Sequence, residues 1–343
     1  MTSAERVFAG QLGVDVTEGF RNTMIGAVKG IGKLTNKFPL ISIVTPSLNQ
    51  GIYIEENIKS VMNQNYPNFQ HIVIDGGSID GTVDILRKYN HLIWSSERDR
   101  GQSEAINKGL QKANGEIIGW LNSDDCYEPG AFFTIVAELN KVYGKYIVSG
   151  DCSVIDDRGD RVGYCKGRFS DHKDLIKYWD RDYTIPQPSV FFYRDILHEC
   201  GYLDEKLHYG MDYEFWLRIS KHRKIHYIEK PLAKIRVHDR AKSSPGYEVF
   251  EREWFRVSKK YWGSLLSVNY YRHLFMALCF RSHLMRISAY SRMEELSLKE
   301  FRRRILVSIA SNPLNLFRRR FFSALLRSIL GHHNTNSIKR LLN

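Results

Sequence analysis

The sequence predicts an α/β fold in which a mostly parallel β-sheet is covered by helices on both faces. Two observations lead to this prediction. Short apolar, partly β-branched runs alternate with helical patterns four times between residues 39 and 140, and the segments that connect them are short. Strand–helix alternation with short loops is typical of parallel strands joined by crossover helices.

The first two strands are predicted from apolar runs that end at turn residues. Leu40–Thr45 is apolar and partly β-branched, and we expect this strand to end at Pro46. His71–Asp75 is a second run of this kind, and two glycines close it. Apolar residues at 54, 58 and 61, and later at 83 and 86, recur at helical spacing, so a helix is predicted after each strand.

The third and fourth strands follow the same logic. Leu92–Trp94 is short and apolar, and apolar residues at 105, 106 and 110 predict the helix after it. Glu116–Leu121 is the fourth predicted strand. Pro129 opens the last helix of the series, which is expected to reach about residue 140, because proline is favoured in the first helical turn.

Beyond residue 145 the pattern changes. Strands are predicted at 146–148 and 190–193, with a turn at 158–159 and a helix around 171–179. These elements predict a mixed or antiparallel extension of the same sheet. The domain boundaries predicted from these changes are a loosely attached leader at 1–37, the α/β domain at 38–245 and a helical basic region at 246–343.

The charge distribution separates the C-terminal region from the rest. The net charge of the 343-residue chain is +12, and residues 251–343 alone carry 18 Lys/Arg against 5 Asp/Glu. Five widely spaced cysteines without a Cys-x-x-Cys pair are typical of a reducing compartment. Neither a secretory leader nor an apolar run of about 18 residues is found. We therefore expect a cytoplasmic protein.

Polar clusters follow all four predicted strands, and the most informative is the pair Asp124 and Asp125. In open α/β sheets ligands bind beyond the carboxyl ends of the strands. Adjacent carboxylates at such an end suit an octahedral Mg²⁺ or Mn²⁺ that carries a diphosphate. The alternative is that either aspartate caps a helix at a strand–helix turn. No Gly-x-Gly-x-x-Gly or Walker-type sequence follows the first strand, which argues against a classical dinucleotide site.

Three segments in this order resemble family 2 glycosyltransferases with the GT-A fold: Ile74–Thr82, Asp99–Gly109 and Trp120–Asp125. The resemblance covers about residues 38–243, and it is greatest to bacterial enzymes of capsule, exopolysaccharide and O-antigen assembly. It implies inverting transfer from a nucleoside-diphosphate sugar to a saccharide or lipid-linked saccharide, with Mg²⁺ or Mn²⁺.

The resemblance also implies roles for individual residues on the donor side. Asp75 would accept a hydrogen bond from the nucleobase, Asp124 would approach the ribose and phosphate, and Asp125 and His238 would hold the metal. The alternative for His238 is an ordinary surface histidine. The other residues expected to bind the nucleotide sugar are Pro46, Ser47, Asn49, Gly101, Gln102 and Arg236.

On the acceptor side the resemblance implies that Asp212 is the general base, with Glu214 as the second choice. The alternative is that Asp212 caps a helix over residues 213–220. Three positions depart from the family pattern. Leu48 stands where an aromatic residue is common, Glu104 replaces an aspartate, and Met211 replaces an acid. The first departure leaves the choice of nucleobase open.

Two other functions would each account for part of the sequence. A sugar-1-phosphate nucleotidylyltransferase would need a glycine-rich phosphate loop with basic residues after the first strand, and Pro46–Gly51 lacks it. A nucleic-acid-binding protein could use the basic tail, but the acidic strand ends would repel phosphates in the absence of a metal. No nucleic-acid partner is therefore expected.

The basic tail predicts an amphipathic helix that begins at Asn312-Pro313 and ends at Gly331. Phe and Leu residues cluster on one face and arginines lie mostly opposite. Such a helix suits an anionic membrane surface, here the inner face of the plasma membrane, and a polybasic segment gains about 1 kcal/mol per Lys/Arg there. The alternative is packing on the α/β domain with the arginines in solvent.

Overall fold

The computed structural model describes residues 38–142, 146–167, 171–180, 185–242, 244 and 247–291. The chain divides into two compact units, Met1–Ser244 and Pro245–Asn343. The first unit contains a nine-stranded sheet, and the described part of the second unit is helical. The predicted amphipathic helix from Asn312 to Gly331 lies outside the described residues.

The first four strands are parallel and form one half of the sheet, in the order β3-β2-β1-β4. They alternate along the chain with helices, as predicted. Their bounds are β1 Ile41–Ser47, β2 Phe69–Asp75, β3 Leu92–Ser96 and β4 Ile117–Trp120.

The second half of the sheet is mixed, and it continues in the order β8-β6-β9-β5, with β7 paired to β6. Strand β8 is antiparallel to β4, and β6 is antiparallel to β8 but parallel to β9. The predicted mixed extension is therefore confirmed. The strands are β5 Cys126–Tyr127, β6 Tyr146–Ile155, β7 Arg161–Cys165, β8 Val190–Tyr193 and β9 Lys224–Arg236.

Seven α-helices are described in the first unit and two in the second. Those of the first unit are α1 Ile54–Met62, α2 Thr82–Leu86, α3 Gln102–Lys112, α4 Ala131–Lys141, α5 His172–Ile176, α6 Asp195–Cys200 and α7 Met211–Ser220. Those of the second are α8 Tyr247–Lys259 and α9 Val268–Ser291. Among the described helices none is long and apolar enough to cross a membrane.

The prediction that the first strand ends at Pro46 is wrong, because β1 continues through it to Ser47. The carbonyl of Val44 accepts from the amide of Leu121, on the side of β1 that faces β4. Since backbone groups point to alternate sides along a strand, the nitrogen of Pro46 faces that same side. Strand β4 has already ended there, so the missing N–H leaves no hydrogen bond unmade.

The parallel register brings the strand ends to one edge of the sheet. Ser47 at the end of β1 lies beside Asp75 at the end of β2, and Asp75 lies beside Ser96 at the end of β3. Helix α3 packs closely on this half, because a Cβ added at Gly109 would lie 2.3 Å from Cγ1 of Val44. The helix that begins at Gln102 is thereby fixed against the strands whose ends carry the polar clusters.

Candidate active site

Asp75 at the end of β2 is fully buried, and protein donors hold its carboxylate. Oδ2 accepts from the amides of Gly77 (3.1 Å) and Ser78 (2.9 Å) and from Oγ of Ser96 (2.6 Å), and Oδ1 accepts from Oγ of Ser78 (2.5 Å). A carboxylate offers about four lone-pair sites. The geometry indicates that Asp75 orders the loop after β2, and its predicted contact with the nucleobase stays a prediction, for which Oδ1 accepts only one hydrogen bond from the described residues.

The loops after β1 and β2 are bound to each other. The amide of Asn49 donates to Oγ of Ser78 (2.7 Å), and Oδ1 of Asn49 accepts from the amide of Ile79 (3.0 Å). The predicted residues Pro46, Ser47, Asn49 and Asp75 are thus brought together. The Oγ of Ser47 is buried and has no hydrogen-bond partner among the described residues.

Asp124 and Asp125 lie in different surroundings. Asp125 is buried, its Oδ1 accepts from the amide of Arg236 (2.9 Å), and burial together with the neighbouring Asp124 charge raises its pKa well above the usual value. Asp124 is partly exposed, and its Oδ2 lies 3.2 Å from Nε2 of His238. The helix-capping alternative is wrong, because β5 follows Asp125 directly and the N-cap of α4 is Gly130.

Arg236 at the end of β9 donates hydrogen bonds to both aspartates, to the Asp125 carboxylate and to the Asp124 carbonyl. Its side chain is only 1% exposed and lies in an ion pair with Glu56. Nε donates to the carbonyl of Asp124 (3.0 Å) and Nη1 to the carbonyl of Asp156 (2.9 Å), while the guanidinium covers the ring of Tyr53. The predicted contact between Arg236 and a nucleotide sugar therefore needs correction, since protein acceptors already occupy its N–H groups. We assign it a positioning role.

Replacing Arg236 with methionine should lower the free energy of unfolding by about 3 kcal/mol, because the carbonyls of Asp124 and Asp156 and the carboxylate of Glu56 lose their donor. Urea unfolding measures the change. The control is Glu56→Gln, whose half-exposed side chain should cost no more than about 1 kcal/mol. A loss for Arg236→Met as small as that of the control would contradict the positioning role.

A chain of amide side chains joins the edge of the sheet to later parts of the chain. Nε2 of Gln102 donates to Oδ1 of Asn122 (2.9 Å), and Nδ2 of Asn122 donates to Oε1 of Gln187 (3.1 Å). Oε1 of Gln102 accepts from Nζ of Lys242 (2.8 Å). The neighbouring Gly101 has a φ of 139°, which favours glycine at the N-cap of α3.

Sequence reasoning missed Lys242, which the structure brings to this edge of the sheet. Nζ also lies 5.7 Å from the centre of the ring of Tyr209, three residues before Asp212. The available signal was a lysine four residues after His238, in the turn that follows β9. A cation here can meet a negatively charged leaving group.

Asp212 is the second residue of α7, whose N-cap is Gly210, so the capping alternative for Asp212 is wrong. Oδ1 accepts from the amide of Tyr213 (2.7 Å). The second choice, Glu214, is held in an ion pair by Arg218 through contacts of 3.0 and 2.8 Å.

Helix α3 positions the segment that leads into α7. Nδ2 of Asn107 donates to the carbonyl of Leu203 (3.0 Å), and the amide of Leu203 donates back to Oδ1 (2.9 Å). Oγ of Ser103 donates to the carbonyl of Leu207 (3.1 Å). The helix that begins at Gln102 therefore connects the strand-end cluster with the segment before Asp212.

Asp124 and His238 together fit a divalent cation. Carboxylate oxygen and imidazole nitrogen are both ligands for Mn²⁺, and Mg²⁺ is commonly held by one or two carboxylates plus substrate phosphates. Nδ1 of His238 is buried without a hydrogen-bond partner among the described residues, so no hydrogen bond at that atom fixes the orientation of the ring. In the part of the chain that the structure describes, no cluster of three or more His, Cys, Asp or Glu residues could hold a metal alone.

The chain matches a known family and several of its members. The sequence profile of "Glycosyl transferase family 2" aligns with residues 42–201. An uncharacterized glycosyltransferase of Rickettsia typhi (strain ATCC VR-144 / Wilmington) is 30% identical over 235 residues, which cover 65% of this chain and 72% of the relative. TuaG of Bacillus subtilis (strain 168), a glycosyltransferase named for teichuronic acid biosynthesis, is 40% identical over 98 residues, or 27% of this chain and 38% of TuaG.

The fold also matches solved structures. S. aureus TarS 1–349 in complex with UDP-GlcNAc superposes with a TM-score of 0.55 at 18% identity, over 88% of this chain and 91% of TarS 1–349. Likeness at this identity bears on the fold alone, and it confirms the predicted GT-A-type architecture. The matching family profile and the Rickettsia typhi relative, of which 72% is covered, show that the chain belongs to glycosyl transferase family 2.

Proposed function

We propose that this protein is a metal-dependent inverting glycosyltransferase. It would move a sugar from a nucleoside diphosphate to a hydroxyl of a saccharide or lipid-linked saccharide, in the synthesis of a bacterial surface polysaccharide. The observation that carries the proposal is the Asp124–His238 pair, held at the carboxyl edge of the sheet by Arg236. Family membership supports sugar transfer, and the likeness to TuaG supports a polysaccharide product.

On the donor side, Asp124 and His238 would hold Mg²⁺ or Mn²⁺ against the diphosphate. The bound cation would supply electrostatic stabilisation of the leaving diphosphate. The sequence assigned this ligand role to Asp125, and that assignment stays a prediction. We favour Asp124, because it is the more exposed carboxylate and the one that meets His238, whereas Asp125 is buried against the amide of Arg236.

The nucleoside would lie across the loops after β1 and β2. Ser47 offers a buried hydroxyl without a partner among the described residues, and Leu48 is exposed beside it and can cover a base. Lys242 would approach the diphosphate from the turn after β9, with Gln102 holding its ammonium group in place. These contacts position the donor and add no covalent step.

On the acceptor side, Asp212 would act as the general base. It takes the proton of the acceptor hydroxyl while that oxygen attacks the anomeric carbon from the face opposite the leaving group. The new bond joins the anomeric carbon to the acceptor oxygen, and the bond to the diphosphate oxygen breaks, so the electron pair leaves with the nucleoside diphosphate. A single displacement of this kind inverts the anomeric centre.

The two alternative functions find less support in the structure. Residues 46–51, at the end of β1 and just after it, form no glycine-rich phosphate loop, as a nucleotidylyltransferase would require. Nucleic-acid binding is disfavoured because the two neighbouring aspartates at the strand ends would repel a phosphate backbone. A location in the cytoplasm, at the inner face of the plasma membrane, remains part of the proposal.

A thermal-shift screen of UDP, GDP, dTDP and CDP, each with and without Mn²⁺, tests the donor site. One nucleotide should raise Tm, and only when Mn²⁺ is present, because ligand that binds the folded state alone stabilises it. One control is Mn²⁺ alone. The other is each nucleotide in the presence of a chelator. Equal shifts with and without Mn²⁺ would contradict metal dependence, and no shift with any nucleotide would contradict the donor class.

A further inference from the structure

The turn between α8 and α9 presents large apolar side chains to solvent. Leu265 is 62% exposed, Leu266 94% and Val268 86%. These three residues are named the leucine tip. Further exposed apolar side chains, Tyr271, Phe275 and Leu278, follow at helical spacing along α9. Exposed apolar side chains grouped in this way are typical of an interaction site.

The turn that carries the leucine tip is internally hydrogen-bonded. The amide of Leu266 donates to Oγ of Ser264 (3.2 Å), and the amide of Ser267 donates to the carbonyl of Ser264 (2.9 Å). The amide of Tyr270 donates to Oγ of Ser267 (3.2 Å), which caps the first turn of α9. Backbone groups satisfied in this way can enter an apolar environment without a large desolvation cost.

Closely packed aromatic side chains fix the turn between α8 and α9. Trp262 is buried, and its Nε1 donates to Oγ of Ser258 (2.6 Å). Its ring centre lies 5.3 Å from that of Phe255, 5.6 Å from Tyr270 and 6.0 Å from His273. The leucines are therefore exposed on a rigid support, so their exposure is not the result of a loosely packed loop.

The sequence on both sides of the leucine tip carries only positive charge. Between residues 254 and 281 the sequence has five Lys/Arg and no Asp or Glu. Lys259, Lys260 and Arg272 are exposed next to the turn. A second copy of the chain would bring these cations against one another, and like charges across an interface are costly. An anionic lipid surface offers both an apolar layer and opposite charge.

We propose that the leucine tip inserts into the interface of an anionic lipid bilayer, with Lys259, Lys260 and Arg272 at the level of the lipid phosphates. Interfacial elements of this type bury their apolar side about 5–10 Å deep without spanning the bilayer. This surface lies in the described part of the second unit, so it is distinct from the predicted tail helix. It does not depend on the proposed sugar transfer.

The test is co-sedimentation of the full chain with vesicles of phosphatidylcholine containing about one third phosphatidylglycerol. The wild-type protein should bind these vesicles, and Leu265→Ser/Leu266→Ser should lower the partition coefficient about tenfold or more. Leu266→Ser alone should give a smaller loss in the same direction. The matched control is Val162→Ser, an exposed apolar residue on β7, which should bind as wild type does.

The electrostatic part is tested with Lys260→Gln, which should weaken binding about fivefold at low salt and show no effect at about 1 M salt. Equal unfolding temperatures establish that the exposed-site variants fold. Three results would overturn the proposal. These are a wild-type chain that stays unbound in the supernatant, tip variants that bind as the wild type does, and a tip-dependent dimer that light scattering detects without lipid.

Discussion

Asp212→Asn should lower the turnover number about 10²–10⁴-fold, because the amide cannot take the proton of the attacking hydroxyl. Binding of the nucleotide and Mn²⁺ should remain as in the wild type, since Asp212 lies at the start of α7 and the proposed donor contacts come from the strand ends and from the turn after β9. Single-turnover kinetics and a thermal-shift titration on the same preparation measure the two quantities.

The matched control for this variant is Asp195→Asn. Asp195 is also an acidic residue in the first turn of a helix, α6, and it lies at the surface near Arg223. This control should keep full turnover and a near-wild-type Tm. Full transfer activity in Asp212→Asn would contradict the base assignment. A parallel loss of nucleotide binding would show instead that Asp212 belongs to the donor site.

Asp124→Asn should abolish the Mn²⁺-dependent part of nucleotide binding and lower turnover about 100-fold or more, because a cation at the diphosphate is worth several kcal/mol of charge stabilisation. The measurement is the nucleotide affinity at increasing Mn²⁺ concentration. The variant should approach the weak, Mn²⁺-independent affinity that the wild type shows in the presence of a chelator.

Asp125→Asn is the informative comparison, since the sequence assigned the metal to Asp125. Its buried Oδ1 accepts a backbone N–H, and an amide oxygen can accept the same bond. We therefore expect Asp125→Asn to retain metal-dependent binding more fully than Asp124→Asn. Loss of metal dependence in Asp125→Asn alone would reverse our assignment of the two aspartates.

The parallel half of the fold could be predicted because its pattern is local. Each apolar run and each helical spacing lies within about ten residues, and the alternation of strands and helices predicts that the strands are parallel. Pro46 was misjudged as a strand end, because its tolerance depends on where β4 stops, which no local pattern records. The same holds for the short β5, whose two residues form a strand only by pairing with β9.

The sequence predicted which residues belong to the candidate site. It did not predict which of these side chains are buried or which of them contact each other. The strand ends at one edge brought Ser47 and Asp75 together, as expected for parallel strands. The roles of the two aspartates, by contrast, depend on the pairing of β6 with β9, which carries Arg236 and His238 back to them. Pairing across about 80 residues fixes which side chains are buried, and the sequence alone carries no such information.

The most direct test is a crystal structure with Mn²⁺ and the nucleoside diphosphate chosen by the screen, with anomalous data collected at the manganese edge. The account predicts one anomalous peak on the diphosphate, within about 2.0–2.3 Å of an Asp124 carboxylate oxygen and of Nε2 of His238. A peak bound by Asp125 and not by Asp124, or a bound nucleotide with no peak beside it, would contradict it.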